Sequence, residues 1–175
     1  MKILNLHGFL GIADNKNYYA LCYLVPPESI KSPQMKYKET SPLDILNQLS
    51  EMEDTDDFLF VGQSLGGFFA DILSRKFNRP CILTNPCYYP HELDLIYTSG
   101  ISMEFLEQYR ELSQNEKNIL AFSMCSDHDT VLPENYMNCE KLSVEVLRVH
   151  GGHSTIDNIG EYFSDLISRI SNKNQ

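Results

Sequence analysis

A serine between glycines stands where the sequence changes from a strand pattern to a helix pattern. The stretch "FLFVGQSLGGFFADIL" (58–73) opens with four apolar residues typical of a buried strand, and its later apolar residues recur at helical spacing. The pentapeptide "GQSLG" (62–66) matches G-x-S-x-G. A tight strand-to-helix turn exposes the central hydroxyl, and side chains at the two glycine positions would collide with the turn. Ser64 is therefore a candidate nucleophile, although a plain loop of small residues has the same pattern.

A serine hydroxyl is a poor nucleophile and needs a neighbouring general base. The chain has five histidines: His7, His91, His128, His150 and His153. His153 follows the last predicted strand in "HGGHST" (150–155), where two glycines leave the loop free to aim the imidazole. His150 lies closer to the strand and is expected to hydrogen-bond locally. We predict that His153 is the base, with His150 as the alternative.

The base in turn needs an acid that orients the imidazole and stabilises the imidazolium. The segment "CSDHDTVLP" (125–133) supplies Asp127 and Asp129 at the end of another predicted strand. Asp129 precedes an apolar pair and a proline, where the chain turns towards the next helix. We favour Asp129 over Asp127, and either could instead be a solvated turn residue or a helix cap.

An oxyanion formed by attack on a carbonyl requires two preorganised N–H donors. The N–H of Leu65, directly after the serine, is one candidate. The N–H of Phe9 is the other, because "HGF" (7–9) ends the first predicted strand and Gly8 permits a close backbone approach. A simple glycine turn is the alternative. Further substrate contacts are expected from four residues: His7, Gly8, Gln63 and Tyr88.

Metal and nucleotide chemistry fit the sequence less well. His128, His150, His153, the two aspartates and Cys125 could be arranged as a zinc site, but the HxxH spacing lies in a Gly-Gly loop without the helical HExxH frame. The glycines of 62–67 lack both the G-x-G-x-x-G order and a Gly-Lys-Ser/Thr end. We therefore predict no metal and no cofactor.

Composition restricts the partners and the compartment. The 175 residues include 14 basic and 24 acidic side chains, a net charge of −10, so the chain lacks the basic face that binds nucleic acid. Five irregularly spaced cysteines without a CxxC pair favour reduced thiols and a cytoplasmic protein. No apolar run is long enough to cross a bilayer, so no membrane partner is expected. The oligomeric state is not indicated.

Strand and helix patterns alternate along the whole chain. The strand-like runs are continuously apolar, which is typical of strands buried on both faces of a parallel sheet. We predict an α/β fold, a three-layer sandwich in which a mainly parallel sheet of about six strands has helices on both faces. A short edge strand is predicted near Met35–Tyr37. No linker or repeat divides the chain, so residues 1–175 are expected to form one domain.

Taken together, these motifs resemble a small α/β-hydrolase, and most closely the bacterial YqiA/YcfP-like esterase family. The similarity lies in "LNLHGF", "VGQSLGGFFA", "NPCYYPHEL", "DHDTVLP" and "GGHST", in this order. The resemblance implies a compact hydrolase acting on short acyl esters or thioesters, with Ser64 as nucleophile, Asp129 as acid and His153 as base. One departure is that Gly152 directly precedes His153, where the family pattern has an intervening residue.

The sequence thus favours a serine esterase or thioesterase that cleaves small acyl substrates through an acyl-enzyme. A lid would insert around residues 87–115, although burial in the core is an equally good interpretation of its aromatic side chains. The alternative function is a catalytically silent α/β-hydrolase fold that serves as a binding or scaffold protein.

Overall fold

Short strands and helices alternate in the computed structural model, which describes residues 1–52, 57–133 and 135–173. The strands in these residues are β1 (Lys2–Leu6), β2 (Ile30–Lys31), β3 (Phe58–Gln63), β4 (Cys81–Thr84), β5 (Asn118–Ser126), β6 (Ser143–Val149), β7 (Gly151–Gly152) and β8 (Thr155–Ile156). The α-helices in the same residues are α1 (Lys16–Cys22), α2 (Pro42–Ser50), α3 (Leu65–Phe77), α4 (Asp94–Tyr97), α5 (Met103–Leu112), α6 (Asn135–Leu142) and α7 (Ile159–Lys173).

Six strands form one parallel sheet in the order β2-β1-β3-β4-β5-β6, and β7 pairs with β8 in a separate antiparallel hairpin. Successive residues of a strand point to opposite faces, so Phe58 and Phe60 join one core cluster while Leu59 and Val61 join another. The first cluster packs under α2, α3, α5 and α6, and the second under α1 and α7. The predicted six-stranded parallel sheet with helices on both faces is confirmed.

The helix α3 lies deepest in this arrangement. Every residue from Leu65 to Ser74 is buried, which is unusual for a helix at the side of a sheet. Its first turn approaches β1 so closely that a Cβ atom on Gly66 would lie 2.2 Å from the Leu6 carbonyl oxygen. A Cβ on Gly62 would lie 2.4 Å from the carbonyl oxygen of Gly66. Glycine at these two positions is therefore a steric requirement of the turn from β3 into α3.

The short strand at the edge of the sheet is β2, so the edge strand predicted near Met35–Tyr37 is wrong. The backbone of the 35–37 segment bonds a side chain and not a neighbouring strand, because the N–H of Met35 donates to His7 Nε2 at 2.8 Å. Tyr37 turns inwards and stacks on Phe69 with ring centroids 5.9 Å apart. Its hydroxyl donates to the His7 carbonyl at 2.5 Å. Burial of one aromatic residue thus overrides the local strand pattern.

The segment around 87–115 contains a 3-10 turn (Pro90–Glu92), α4 and α5. Tyr109 of α5 is fully buried, and its ring contacts those of Phe68 and Phe69 at 5.6 and 6.3 Å. Met103, at the start of the same helix, is 69% exposed. One side of α5 therefore packs against α3. The role of this segment as a lid, like the single domain, stays a prediction.

Substitution Gly62→Ala should strongly destabilise the protein. The new Cβ would meet backbone atoms that cannot move aside, so we expect a loss of about 3 kcal/mol or more in the free energy of unfolding. Urea denaturation followed by circular dichroism measures it. The matched control is Gly160→Ala in α7, where a Cβ meets no atom within 4 Å and the change should be neutral or stabilise by up to about 1 kcal/mol. Equal effects of the two substitutions would contradict the steric explanation.

Candidate active site

Ser64 occupies a strained backbone conformation between β3 and α3, with φ 51° and ψ −119°. A positive φ is unfavourable for a serine and persists only where its surroundings impose it. The last residue of β4 and the segment after it do so here. The Ser64 N–H donates to the Thr84 carbonyl at 3.0 Å, and the Ser64 carbonyl accepts the N–H of Cys87 at 3.0 Å. Both peptide groups of the serine are thus held by one neighbouring segment.

Ser64, His153 and Asp129 form a continuous hydrogen-bonded chain. The Ser64 hydroxyl lies 2.9 Å from His153 Nε2. His153 Nδ1 lies 3.0 and 2.9 Å from the two carboxylate oxygens of Asp129. A carboxylate only accepts, so Nδ1 carries the imidazole proton and Nε2 is left to accept the proton of the serine hydroxyl.

Asp129 is buried, and its carboxylate accepts hydrogen bonds from His153 and from the backbone. Its Oδ1 atom accepts the backbone N–H groups of Val131 and Leu132, each at 2.9 Å. Burial by itself would raise the pKa of this carboxyl. The hydrogen bonds from His153, Leu132 and Val131 outweigh that effect and hold the pKa of Asp129 below its ordinary value. Asp129 is therefore ionised near neutral pH.

The other aspartate of this segment, Asp127, faces a different pair of histidines. Its carboxylate bonds His128 Nδ1 at 2.7 Å and His150 Nδ1 at 2.5 Å, and both of these imidazoles are largely exposed. It also accepts the N–H of Gly151 at 3.2 Å. Burial alone would raise the pKa of Asp127, but the bonds from His128, His150 and Gly151 lower it overall. Asp127 and His150, the alternatives from the sequence, therefore pair with each other on the surface, away from Ser64.

Of the two predicted oxyanion donors, Leu65 directly follows the serine and Phe9 lines the same cavity as Ser64. Within the described parts of the chain, the N–H groups of Phe9 and Leu65 have no hydrogen-bond acceptor. Gly8 lies against the nucleophile, because a Cβ placed on it would be 3.0 Å from Ser64 Cβ and 3.6 Å from Ser64 Oγ. The amides of Phe9 and Leu65 therefore remain candidate donors to an oxyanion.

The other predicted substrate contacts have different positions. Gln63 and Gly8 line the cavity that contains Ser64 and His153, and Gln63 Oε1 accepts from Asn15 Nδ2 at 3.2 Å. His7 is buried behind it, with Nδ1 on the Gly8 carbonyl at 2.8 Å and Nε2 on Met35 N–H. Tyr88 is buried elsewhere and bonds the hydroxyls of Ser123 and Ser143. Gln63 and Gly8 therefore line the cavity beside Ser64, whereas His7 and Tyr88 do not, and contact of any of these residues with a substrate stays a prediction.

Burial lowers the pKa of His7, although its bond to the Gly8 carbonyl acts in the opposite direction. The ring is thus neutral, with Nδ1 donating to Gly8 and Nε2 accepting from the backbone. This arrangement fixes the loop that carries the Phe9 amide. His7 shapes the site through the backbone.

A cavity of about 510 Å³ opens above the serine. Besides Ser64 and His153, its lining includes the apolar side chains of Phe9, Leu10, Ile12 and Tyr19. The polar side chains of Asp14, Asn15, Lys16, Ser154 and Thr155 also contribute. A separate cavity of about 320 Å³ contains Tyr88 and lies between residues 86–94 and 131–138.

Sequence reasoning missed the role of Asn85, directly after β4. It is fully buried, and its side chain bonds the carbonyl oxygens of Gly152 and His153. The sequence feature that could have indicated this role is the pair Asn85-Pro86, which follows a predicted strand. Reactive residues of parallel sheets gather at the carboxyl ends of the strands.

Clusters of metal ligands, disulfides and membrane-spanning helices are absent from the part of the chain that the structure describes. There, no three His, Cys, Asp or Glu side chains are grouped so as to hold a metal ion. All five cysteines are free thiols. None of the helices within the described ranges is both long and apolar enough for a membrane span.

Comparison with solved structures defines the class of fold. The thioesterase RedJ from the prodiginine pathway of Streptomyces coelicolor aligns with a TM-score of 0.62 at 14% identity, covering 96% of this chain and 89% of its own. The ydeN gene product of B. subtilis gives 0.63 at 17%, covering 98% of both chains. A hyperthermophilic esterase from Pyrobaculum calidifontis gives 0.58 at 13%, covering 99% of this chain and 77% of its own. The protein has the α/β-hydrolase fold.

The chain belongs to the uncharacterised protein family UPF0227, whose model matches residues 2–121. The predicted resemblance to the YqiA/YcfP-like family is thereby confirmed. No curated protein has significant sequence similarity to the chain. The family match includes Ser64 and ends before Asp129 and His153, so the hydrogen bonds of the tertiary structure are what connect the three side chains.

Replacing Asp129 by asparagine should remove a contribution to stability that depends on pH. Because its pKa is lowered in the folded state, the carboxylate stabilises the protein above the unfolded-state value of about 4, and this contribution is lost as the pH falls through the native pKa. We expect the wild type to exceed Asp129→Asn in free energy of unfolding at about pH 6 and the difference to shrink towards about pH 3. Urea titrations at both pH values measure it, and a difference independent of pH would contradict the lowered pKa.

Proposed function

We propose that this protein is a serine hydrolase that cleaves short to medium acyl esters or thioesters through an acyl-enzyme intermediate. One observation carries the proposal: the Ser64 hydroxyl lies 2.9 Å from His153 Nε2 while His153 Nδ1 bonds Asp129. The cavity beside this chain of hydrogen bonds gives a substrate access to the hydroxyl.

The first half of the reaction acylates the enzyme. Ser64 Oγ attacks the carbonyl carbon, and its proton moves to His153 Nε2. The oxyanion that forms accepts hydrogen bonds from the amides of Phe9 and Leu65. His153 then passes the proton to the departing oxygen or sulfur, and the acyl group stays on Ser64. Asp129 remains ionised and stabilises the imidazolium.

The second half releases the acid. Water takes the place of the alcohol or thiol, and His153 Nε2 removes its proton as the water oxygen attacks the acyl-enzyme. Collapse of the second tetrahedral intermediate returns the proton to Ser64 Oγ. No further group is needed for the proton balance, so the proposed enzyme uses no metal or cofactor.

The cavity supports a small acyl substrate. Its volume of about 510 Å³ lies within the range of small-molecule sites. Leu10, Ile12 and Tyr19 are 67%, 62% and 58% exposed, so apolar surface next to the serine is available to an acyl chain. The esterase and the thioesterase among the structural neighbours support the same class of bond. The protein has a net charge of −10, which disfavours a nucleic-acid substrate because the two would repel each other.

Substitution Ser64→Ala should abolish ester cleavage. Removal of the nucleophile from such a triad lowers kcat by about 10⁶-fold, leaving only stabilisation by the binding site. The assay is hydrolysis of p-nitrophenyl acetate and butyrate. Ser171→Ala in α7, where the hydroxyl bonds the Ile167 carbonyl, is the control and should retain full activity. Unchanged turnover by Ser64→Ala would overturn the proposal.

A fluorophosphonate probe separates catalysis from a silent binding role. An activated serine reacts covalently with this probe, so mass spectrometry should find one adduct on Ser64 in the native wild-type protein and none in Ser64→Ala. Failure of the folded wild type to react would favour the binding or scaffold protein.

The two aspartates offer a matched test of the acid. Asp129→Asn keeps the shape but removes the charge, and it replaces a carboxylate that only accepts hydrogen bonds by an amide that can also donate. The imidazole then loses the partner that fixes its Nδ1 proton, and kcat should fall by about 10⁴-fold. Asp127→Asn should remain close to wild type, because its histidines do not touch Ser64. Steady-state kinetics on p-nitrophenyl butyrate distinguish them, and a larger loss in Asp127→Asn would reverse the assignment.

A further inference from the structure

His153 sits in the two-residue turn of the hairpin between β7 and β8. Each strand of this hairpin contributes two residues, which is too little to hold its shape in water without support from elsewhere. The position of the imidazole over Ser64 must therefore depend on contacts between this hairpin and the main sheet.

Asn85 supplies such a contact at His153 itself. Its Nδ2 atom donates to the His153 carbonyl at 2.9 Å and lies 3.1 Å from the Gly152 carbonyl and 2.9 Å from Ser126 Oγ. Its Oδ1 atom accepts the backbone N–H of Ser126 at 2.8 Å. A backbone donor on one side and two carbonyls on the other determine which way the amide faces.

The backbone of Asn85 is also constrained. Its φ is 45°, in the left-handed region that asparagine tolerates better than most residues. Its N–H donates to the Met124 carbonyl at 2.8 Å, which ties it to β5. The side chain is fully buried, so no water competes for the amide. An amide with every group paired in a buried setting is rigid.

The neighbours of Asn85 hold the nucleophile in the same way. Thr84 accepts the Ser64 N–H, and Cys87 donates to the Ser64 carbonyl. One segment, 84–87, thus bonds the backbone of Ser64 through its own backbone and the backbone of His153 through the Asn85 side chain. This segment therefore links the backbone of the nucleophile to the backbone of the histidine.

We propose that Asn85 is a positioning residue that fixes the backbone of His153 so that Nε2 stays within hydrogen-bonding distance of Ser64 Oγ. This role rests on the proposed function only for its catalytic consequence, because the imidazole position can be observed without substrate. Asn85 itself does not touch the substrate cavity, and it acts through the histidine.

Two substitutions test the role. Asn85→Gly permits the positive φ but deletes the amide, whereas Asn85→Asp keeps the shape and turns a carboxylate oxygen towards two carbonyl oxygens. A displacement of about 1 Å in a catalytic group costs about 10²-fold in rate, so we expect kcat to fall by this factor with little change in KM. The control is Asn78→Asp, which alters another asparagine of positive φ, 53°, at the far end of α3. It should leave kcat unchanged.

A proton NMR measurement decides the role independently of turnover. The Nδ1 proton of His153, shared with Asp129, should give a low-field resonance that is assigned by its loss in His153→Gln. We expect this signal in the wild type and Asn78→Asp, and its broadening or shift in both Asn85 variants. Melting temperatures identify variants that remain folded. An unchanged signal and wild-type kcat in a folded Asn85 variant would overturn the inference.

The two proposals fail in different ways. Absence of ester turnover and of probe labelling in the wild type would refute the hydrolase, while the resonance would still report whether Asn85 positions His153. Loss of stability with an intact resonance and normal kcat would show that Asn85 is structural only.

Discussion

Most features of this fold follow from the close crossing of α3 over β1 and β3. The chain must leave the middle of a parallel sheet and begin a buried helix within one residue, and Ser64 takes a positive φ to do so. The crossing has no room for a Cβ at Gly62 or Gly66. The strain is imposed by the burial of ten consecutive helical residues, whose packing against the sheet supplies far more free energy than one unfavourable dihedral angle costs.

The crossing places Ser64 at the carboxyl edge of the sheet. Parallel strands end at the same edge, so residues after β1, β3, β4, β5 and β6 surround the serine although they are distant in sequence. β1 brings the Phe9 amide, and β5 and the hairpin after β6 bring Asp129 and His153. The segment after β4 contributes bonds to the backbone on both sides of the site.

The two aspartates at this edge of the sheet differ in burial. Asp129 is buried and accepts four hydrogen-bond contacts from His153 and two backbone amides, which keep it charged despite its surroundings. Asp127, two residues earlier, faces solvent with two exposed histidines. The difference arises because the chain turns between them, so one carboxylate points inwards and the other outwards.

The alternation of strands and helices, the parallel sheet and the turn at Ser64 could be predicted from the sequence, because they depend on local apolar periodicity and on glycines a few residues apart. The sequence also identified two aspartates and two histidines near strand ends and favoured Asp129 and His153, with Asp127 and His150 left open as alternatives. The tertiary contacts were needed to establish that Asp129 and His153 face Ser64, that Tyr37 packs in the core where an edge strand was predicted, and that Asn85 bonds the histidine loop. The physical reason is that these contacts join residues 24 to 89 positions apart in the chain, whose meeting depends on strand register and packing rather than on any local pattern.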